Sequence, residues 1–245
     1  MLNAVASQSI RHLFTQSEAV DVTIRCYPAS KLLQGSVDSF KMNGRRLVIR
    51  RDFLVEEMTF ETDAVAIDPA SILSGKIRLK QPTQAVAQVV LTEDAINRAF
   101  KAELVQKRLK NVDLEVLTNL SGGEPVSFRD VSLQLLPENR VIIRAKTDLP
   151  NRTDVPIALN AIVAVEKRRR IAFQNPTFES EGIPDDVKGL SEVVTQAFAQ
   201  VLNEMVDLDR FDLDGVLLRL NRLETHGKKL VFSGYAQIEH FPGSN

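Results

Sequence analysis

Leu190-Ser191-Glu192-Val193-Val194-Thr195-Gln196-Ala197-Phe198-Ala199-Gln200-Val201-Leu202-Asn203-Glu204-Met205-Val206 carries the cleanest helical pattern in the chain. Leu190, Val193, Val194, Ala197, Phe198, Val201, Leu202, Met205 and Val206 recur at the three- and four-residue spacing that stacks side chains on one helix face. Glu192, Gln196, Gln200 and Glu204 fall on the other side, and Ser191 is a candidate cap. A stripe this wide has to be covered by another apolar surface.

That surface comes from strands. Val20, Val22, Ile24 and Cys26 alternate with Asp21, Thr23 and Arg25. Ser36 to Met42 and Arg45 to Arg51, joined by Asn43-Gly44, read as a hairpin, because Asn-Gly tolerates positive φ. Ile77 to Leu79, Ala85 to Leu91, Val112 to Leu120, Val126 to Leu136, Arg140 to Leu149 and Val155 to Val165 continue the pattern, with Glu138-Asn139 and Lys167 to Arg169 at turn tips. Val216 to Glu224 and Lys229 to Glu239 close it around His226-Gly227. Several of these strands exceed the usual five or six residues.

Two further helices are predicted. One spans about Leu2 to Thr15. The other starts at Thr92, an N-cap ahead of Glu93 and Asp94, and runs to about Leu109 with Ile96, Ala99, Phe100 and Leu104 on one side. Ser121 to Pro125 and Asn175 to Asp186 read as loops, and no low-complexity linker divides the chain. The expected fold is α+β, a long, strongly curved antiparallel β-sheet wrapped around long amphipathic helices, as a single domain over 1–245.

Composition narrows the function classes. With 44% hydrophobic residues in 245 the chain can build a sizeable core. Lys plus Arg number 31 against 32 Asp plus Glu, so no whole-protein basic field favours nucleic acid. The lone Cys26 supplies neither an intramolecular disulfide nor a zinc cluster and reads as a structural thiol. No signal peptide and no apolar run long enough to span a bilayer is evident, which sets the expectation of a cytoplasmic protein, peripheral to a membrane where it meets one.

Catalytic patterns are missing from the sequence. His12, His226 and His240 are scattered, and no nucleophile elbow, Walker loop or dinucleotide glycine pattern occurs. Asp207, Asp209, Asp212 and Asp214 invite a calcium reading, but neither register places Gly at position six and Glu at position twelve of an EF-hand loop. The expectation is no catalytic residue, no cofactor and no metal. Lys167-Arg168-Arg169-Arg170 is the strongest charge cluster, and Arg45-Arg46 with Arg50-Arg51 a second. Such runs are solvated turn tips or hold anionic headgroups; nucleic acid is disfavoured because no aromatics interleave.

One more set of residues carries a resemblance: Cys26-Tyr27-Pro28-Ala29-Ser30-Lys31-Leu32-Leu33-Gln34-Gly35, Asp63-Ala64-Val65-Ala66-Ile67-Asp68, Leu73-Ser74-Gly75-Lys76-Ile77, Ala87 to Asn97, and the closing Val231-Phe232-Ser233-Gly234-Tyr235-Ala236. Together they resemble the LmeA-like phospholipid-binding family. The resemblance implies a tubular lipid-binding fold of the bactericidal/permeability-increasing type and phospholipid binding, and it brings no catalytic residues. The better-understood members of that family are exported, whereas this sequence shows no evident export signal.

The leading expectation is therefore a peripheral phospholipid-binding or lipid-transfer protein. Ile96, Phe100, Val194, Phe198, Val201 and Met205 would line an apolar groove for acyl chains, and Arg168, Arg169 and Arg170 would meet headgroups. The partners expected are a phospholipid or other acyl-chain ligand and a membrane surface, with no nucleic acid; the oligomeric state stays open. Two rivals remain at this level: a structural or interaction protein whose apolar stripe is filled core, and a hydrolase acting on lipids.

Overall fold

Strand alternation and helix stripes together account for most of the architecture. In a computed structural model, which describes residues 2–11, 14–49, 52–70, 78–210 and 215–239, they form an α+β fold of mostly antiparallel sheets, with no closed barrel among the described residues. The chain divides into two compact units, Met1–Leu91 with Leu208–Arg222 and Val231–Asn245, and Thr92–Asp207 with Leu223–Leu230.

The first unit contains α1 (Leu2–Arg11), β1 (Ala19–Arg25), the short α2 (Ser30–Leu33), β2 (Ser36–Val37), β3 (Ser39–Ile49), β4 (Phe53–Thr62), β5 (Val65–Ala66) and most of β6 (Thr83–Thr92). The hairpin reading of Asn43-Gly44 is corrected here. Strand β3 runs straight through both residues, pairing Asn43 with Asp21 and Thr59 and Gly44 with Val20 and Met58. Glycine suits 44 by packing, since a Cβ there would lie 2.6 Å from Leu47 Cδ1 and would have to push that buried side chain aside. Arg46 takes φ 48° and shifts the buried parity from Phe40, Met42 and Gly44 to Leu47. The reversal falls after Ile49, and the partner is β4, which the sequence reading left unassigned. Arg50 and Arg51, half of the second basic patch, lie outside the described residues, as do His12 and Leu13 of the first predicted helix, Leu73 to Ile77, Asp212, Asp214 and His240. Val20, Val22, Phe40, Met42, Leu47 and Val55 form the core under Ile10 of α1, with Phe40 and Phe60 meeting edge-on at 6.1 Å.

The second unit contains α3 (Glu93–Ala99), α4 (Glu103–Leu109), α5 (Glu115–Leu120), β7 (Phe128–Leu135), β8 (Arg140–Leu149), β9 (Arg152–Glu166), β10 (Arg170–Phe178) and α6 (Lys188–Met205). The remaining strands, β11 (Val216–His226) and β12 (Lys229–Ile238), meet at a turn that belongs to this unit. The sheet orders are β1-β3-β4-β6-β12-β11 and β10-β9-β8-β7.

Thr92 caps α3 as expected, its Oγ1 accepting the Ala95 N–H at 3.2 Å. The single helix predicted from Thr92 to Leu109 is two, because Ala102 turns extended (φ −64°, ψ 140°) and Gln106 Nε2 donates to the freed Phe100 carbonyl at 2.6 Å. The strand predicted over Val112 to Leu120 is corrected to one bridge, Val112 to Val126, followed by α5. Helix wins there because Leu117 is the residue that gets buried, on a face that period-two alternation does not produce. The loop expected over Asn175 to Asp186 starts four residues late, after β10 ends at Phe178; the bulge of that strand carries Asn175 at φ 49°. Ser191 is not a cap: α6 begins at Lys188 with Val187 at the N-cap position.

Candidate functional site

The candidate site is the apolar face of the four-stranded sheet with α6 on it. Antiparallel register aligns Leu133 with Ile143 and Leu159, Leu135 with Val141 and Ala161, and Phe128 with Thr147 and Val155. Every one of these side chains is buried. Helix α6 packs on β9 and β10, and Phe198 stacks on Phe128 with ring centroids 4.6 Å apart at 50°.

Four of the predicted lining residues, Val194, Phe198, Val201 and Met205, share this buried face of α6, at 0%, 0%, 8% and 9% exposure. Val194 and Phe198 are thus enclosed by protein on every side. Ile96 on α3 and Phe100 just after it are half-buried, and α3 packs on β7. Five of the six predicted residues stand on α3 and α6, and Phe100 directly follows α3; the two helices lie over different strands of one sheet.

The sequence reading missed two polar residues in the helix face. Thr195 is fully buried, and its Oγ1 accepts the Ala158 N–H at 3.3 Å. Ser191 is fully buried, with no hydrogen-bond partner for its hydroxyl. Val193, counted in the apolar stripe, is 42% exposed instead. The spacing itself puts Ser191 and Thr195 on the face of Val194 and Phe198, three, four and seven residues apart, but their polar side chains kept them out of an apolar stripe.

The three predicted headgroup arginines have distinct settings. Arg168 is exposed in the β9–β10 turn, beside Lys167; both adopt positive φ. Arg169 Nη1 lies 3.5 Å from Asp207 Oδ2. Arg170 reaches the end of α6, where its Nη2 donates to Asn203 O at 2.8 Å, and Arg108 Nη1 donates to Met205 O at 2.9 Å. Two guanidiniums thus satisfy carbonyls at the negative end of the helix dipole.

Asp209, one of the candidate calcium ligands, pairs with Arg219 at 2.7 Å, and Asp207 with Arg169. Among the described residues no group of His, Cys, Asp and Glu could hold a metal ion. Cys26 Sγ donates to the Ser36 carbonyl at 3.4 Å. No helix of the described residues is long and apolar enough to cross a membrane.

Compared with models of known protein families, residues 1–234 match the family described as LmeA-like phospholipid-binding. Neither the curated proteins nor the solved structures include a match.

Proposed function

The chain belongs to the LmeA-like phospholipid-binding family, and on that premise we propose that it is a peripheral phospholipid-binding or lipid-transfer protein, acting by binding rather than catalysis. The family match over 1–234 is the observation that carries this reading. In it, residues 1–245 act as one lipid-binding domain, and the acyl chains run between the sheet and the helices, beside Ile96, Phe100, Val194, Phe198, Val201 and Met205. A tubular architecture of the bactericidal/permeability-increasing type, with the sheet curving around the helices, belongs to the same proposal. Burying methylenes there contributes about 0.8 kcal/mol each. Arg168, the exposed member of its trio, is the first candidate to meet a headgroup phosphate.

The complete enclosure of Val194 and Phe198 supports a second reading, in which α6 is filled core and any lipid contacts the half-buried Ile96 and Phe100. Native mass spectrometry and solvent extraction of the purified full chain test the main reading. A phospholipid adduct that extraction removes is the expected result. Protein that is lipid-free and also ignores anionic liposomes overturns it. A Phe100→Asp variant that stays folded and loses lipid, beside a Phe198→Asp variant that simply unfolds, favours the second reading.

A further inference from the structure

The most exposed large apolar side chains of the described residues are Tyr27, at 85%, and Leu33, at 82%. They lie on the same short segment between β1 and β2, where Pro28, Ala29, Ser30 and Gln34 are exposed as well. Surface apolar residues are ordinarily scattered; two of this size at near-complete exposure on one segment call for a partner.

The segment is braced from below. Asp38 Oδ2 accepts the Tyr27 N–H at 2.6 Å, and Asp38 Oδ1 holds Lys31 Nζ at 2.5 Å. Leu32, the neighbour of Leu33, packs on the core of the first unit. Gly35, at φ 76°, accepts the Ile67 N–H at 2.7 Å through its carbonyl, and a Cβ on it would sit 2.0 Å from Ile67 O. Tyr27 and Leu33 are therefore presented by a fixed support, which lowers the entropy cost of docking.

The flanks are basic. Arg25 precedes the segment, and Lys31 lies within it. Lys80 Nζ donates to Gln34 O at 3.4 Å, which puts its ammonium at the end of the segment. Tyrosine with leucine, next to Arg25, Lys80 and the Asp38-paired Lys31, is the chemistry of an interfacial anchor on an anionic bilayer.

We propose that the Tyr27–Leu33 segment docks the protein onto an anionic phospholipid membrane surface. This rests on the phospholipid reading above and adds where the membrane is met. The absence of tryptophan from the chain makes the test direct, because Tyr27→Trp installs a single indole. With vesicles of phosphatidylcholine and phosphatidylglycerol, its emission is expected to shift blue and to be quenched by brominated acyl chains, and pure phosphatidylcholine to give a weaker response. Val193→Trp, on the solvent-facing side of α6, is expected to show neither effect. The double variant Tyr27→Ser, Leu33→Ser is expected to keep its melting temperature and to lose vesicle binding by about tenfold or more, since both side chains are solvent-exposed in the free protein. A Tyr27→Trp indole that stays water-exposed on bound protein overturns the inference, as does undiminished binding by the double variant. Should native mass spectrometry still find phospholipid on the chain in that case, the docking segment alone is wrong and the lipid-binding reading stands.

Discussion

Phe198 and Phe100 look alike in the sequence, each an aromatic on the apolar side of a helical pattern, and the fold treats them differently. Phe198 is fully enclosed and stacked on Phe128; Phe100 is half-buried at a break between helices. Truncating an enclosed phenylalanine leaves a cavity that the packed surroundings cannot close. Phe198→Ala should therefore destabilise the protein by about 3–5 kcal/mol. Phe100→Ala should cost clearly less, because solvent already reaches part of its ring. Urea denaturation of both variants checks the ordering, and equal losses would remove the distinction. At this scale the sequence identified which residues are apolar and shared a face. It could not rank them by enclosure, because that depends on what the sheet places opposite.

Helices guard the sheet edges with polar side chains, an element-level device. Along β7, Asn97 of α3 accepts the Leu133 N–H at 2.6 Å and donates to the Leu133 carbonyl at 2.9 Å, and Glu93 accepts the Leu135 N–H at 2.8 Å. On β10, Asn203 of α6 accepts the Phe173 N–H at 2.7 Å. On β1, Ser7 and Asn3 of α1 accept the N–H groups of Val22 and Ile24, each at 3.0 Å. A bare edge would expose unpaired backbone and invite pairing with another chain. Asn97→Leu should cost about 1–3 kcal/mol, the penalty for orphaning backbone groups that are partly buried. It should also raise aggregation on heating, as followed by light scattering during a thermal ramp. Asn97, Asn203 and Asn3 looked like ordinary polar-face residues in the sequence; no periodicity encodes a bond to a strand 36 or 30 residues away. The same scale separates strand from turn at Asn43-Gly44. Gly44→Ala should destabilise by forcing Leu47 aside, whereas Asn43→Ala, exposed within a strand, should stay within about 0.5 kcal/mol of wild type.

Across the whole molecule, acid sensitivity has an identifiable source in the second unit. Arg129 joins Asp148 at 2.8 Å and Asp154 at 3.1 Å, next to bulges in β7 and β8. The Arg129 guanidinium holds both carboxyls below the usual aspartate range and itself binds its proton more tightly than usual. A carboxyl whose value is depressed by folding stabilises the native state above its unfolded value and loses that contribution as pH falls through the depressed one. The wild-type melting temperature should therefore fall as pH drops below about 4. Arg129→Gln should lower it near neutral pH and flatten its acid dependence, and parallel curves for the two proteins would contradict this. The exposure of the cluster keeps the effect small and salt-sensitive.

By itself the sequence determined that this chain alternates long amphipathic strands with a strongly striped helix, and that it belongs with phospholipid binders, because hydrophobic period and family motifs are local properties of residue order. The tertiary structure decided which strands pair. It ran β3 straight through Asn43-Gly44 and paired it with β4, recruited α5 where alternation suggested a strand, and added β10 beside β9. It also enclosed Phe198 while leaving Tyr27 and Leu33 in solvent. These outcomes depend on long-range register and on which surface covers which, and both are set by packing between segments far apart in the chain.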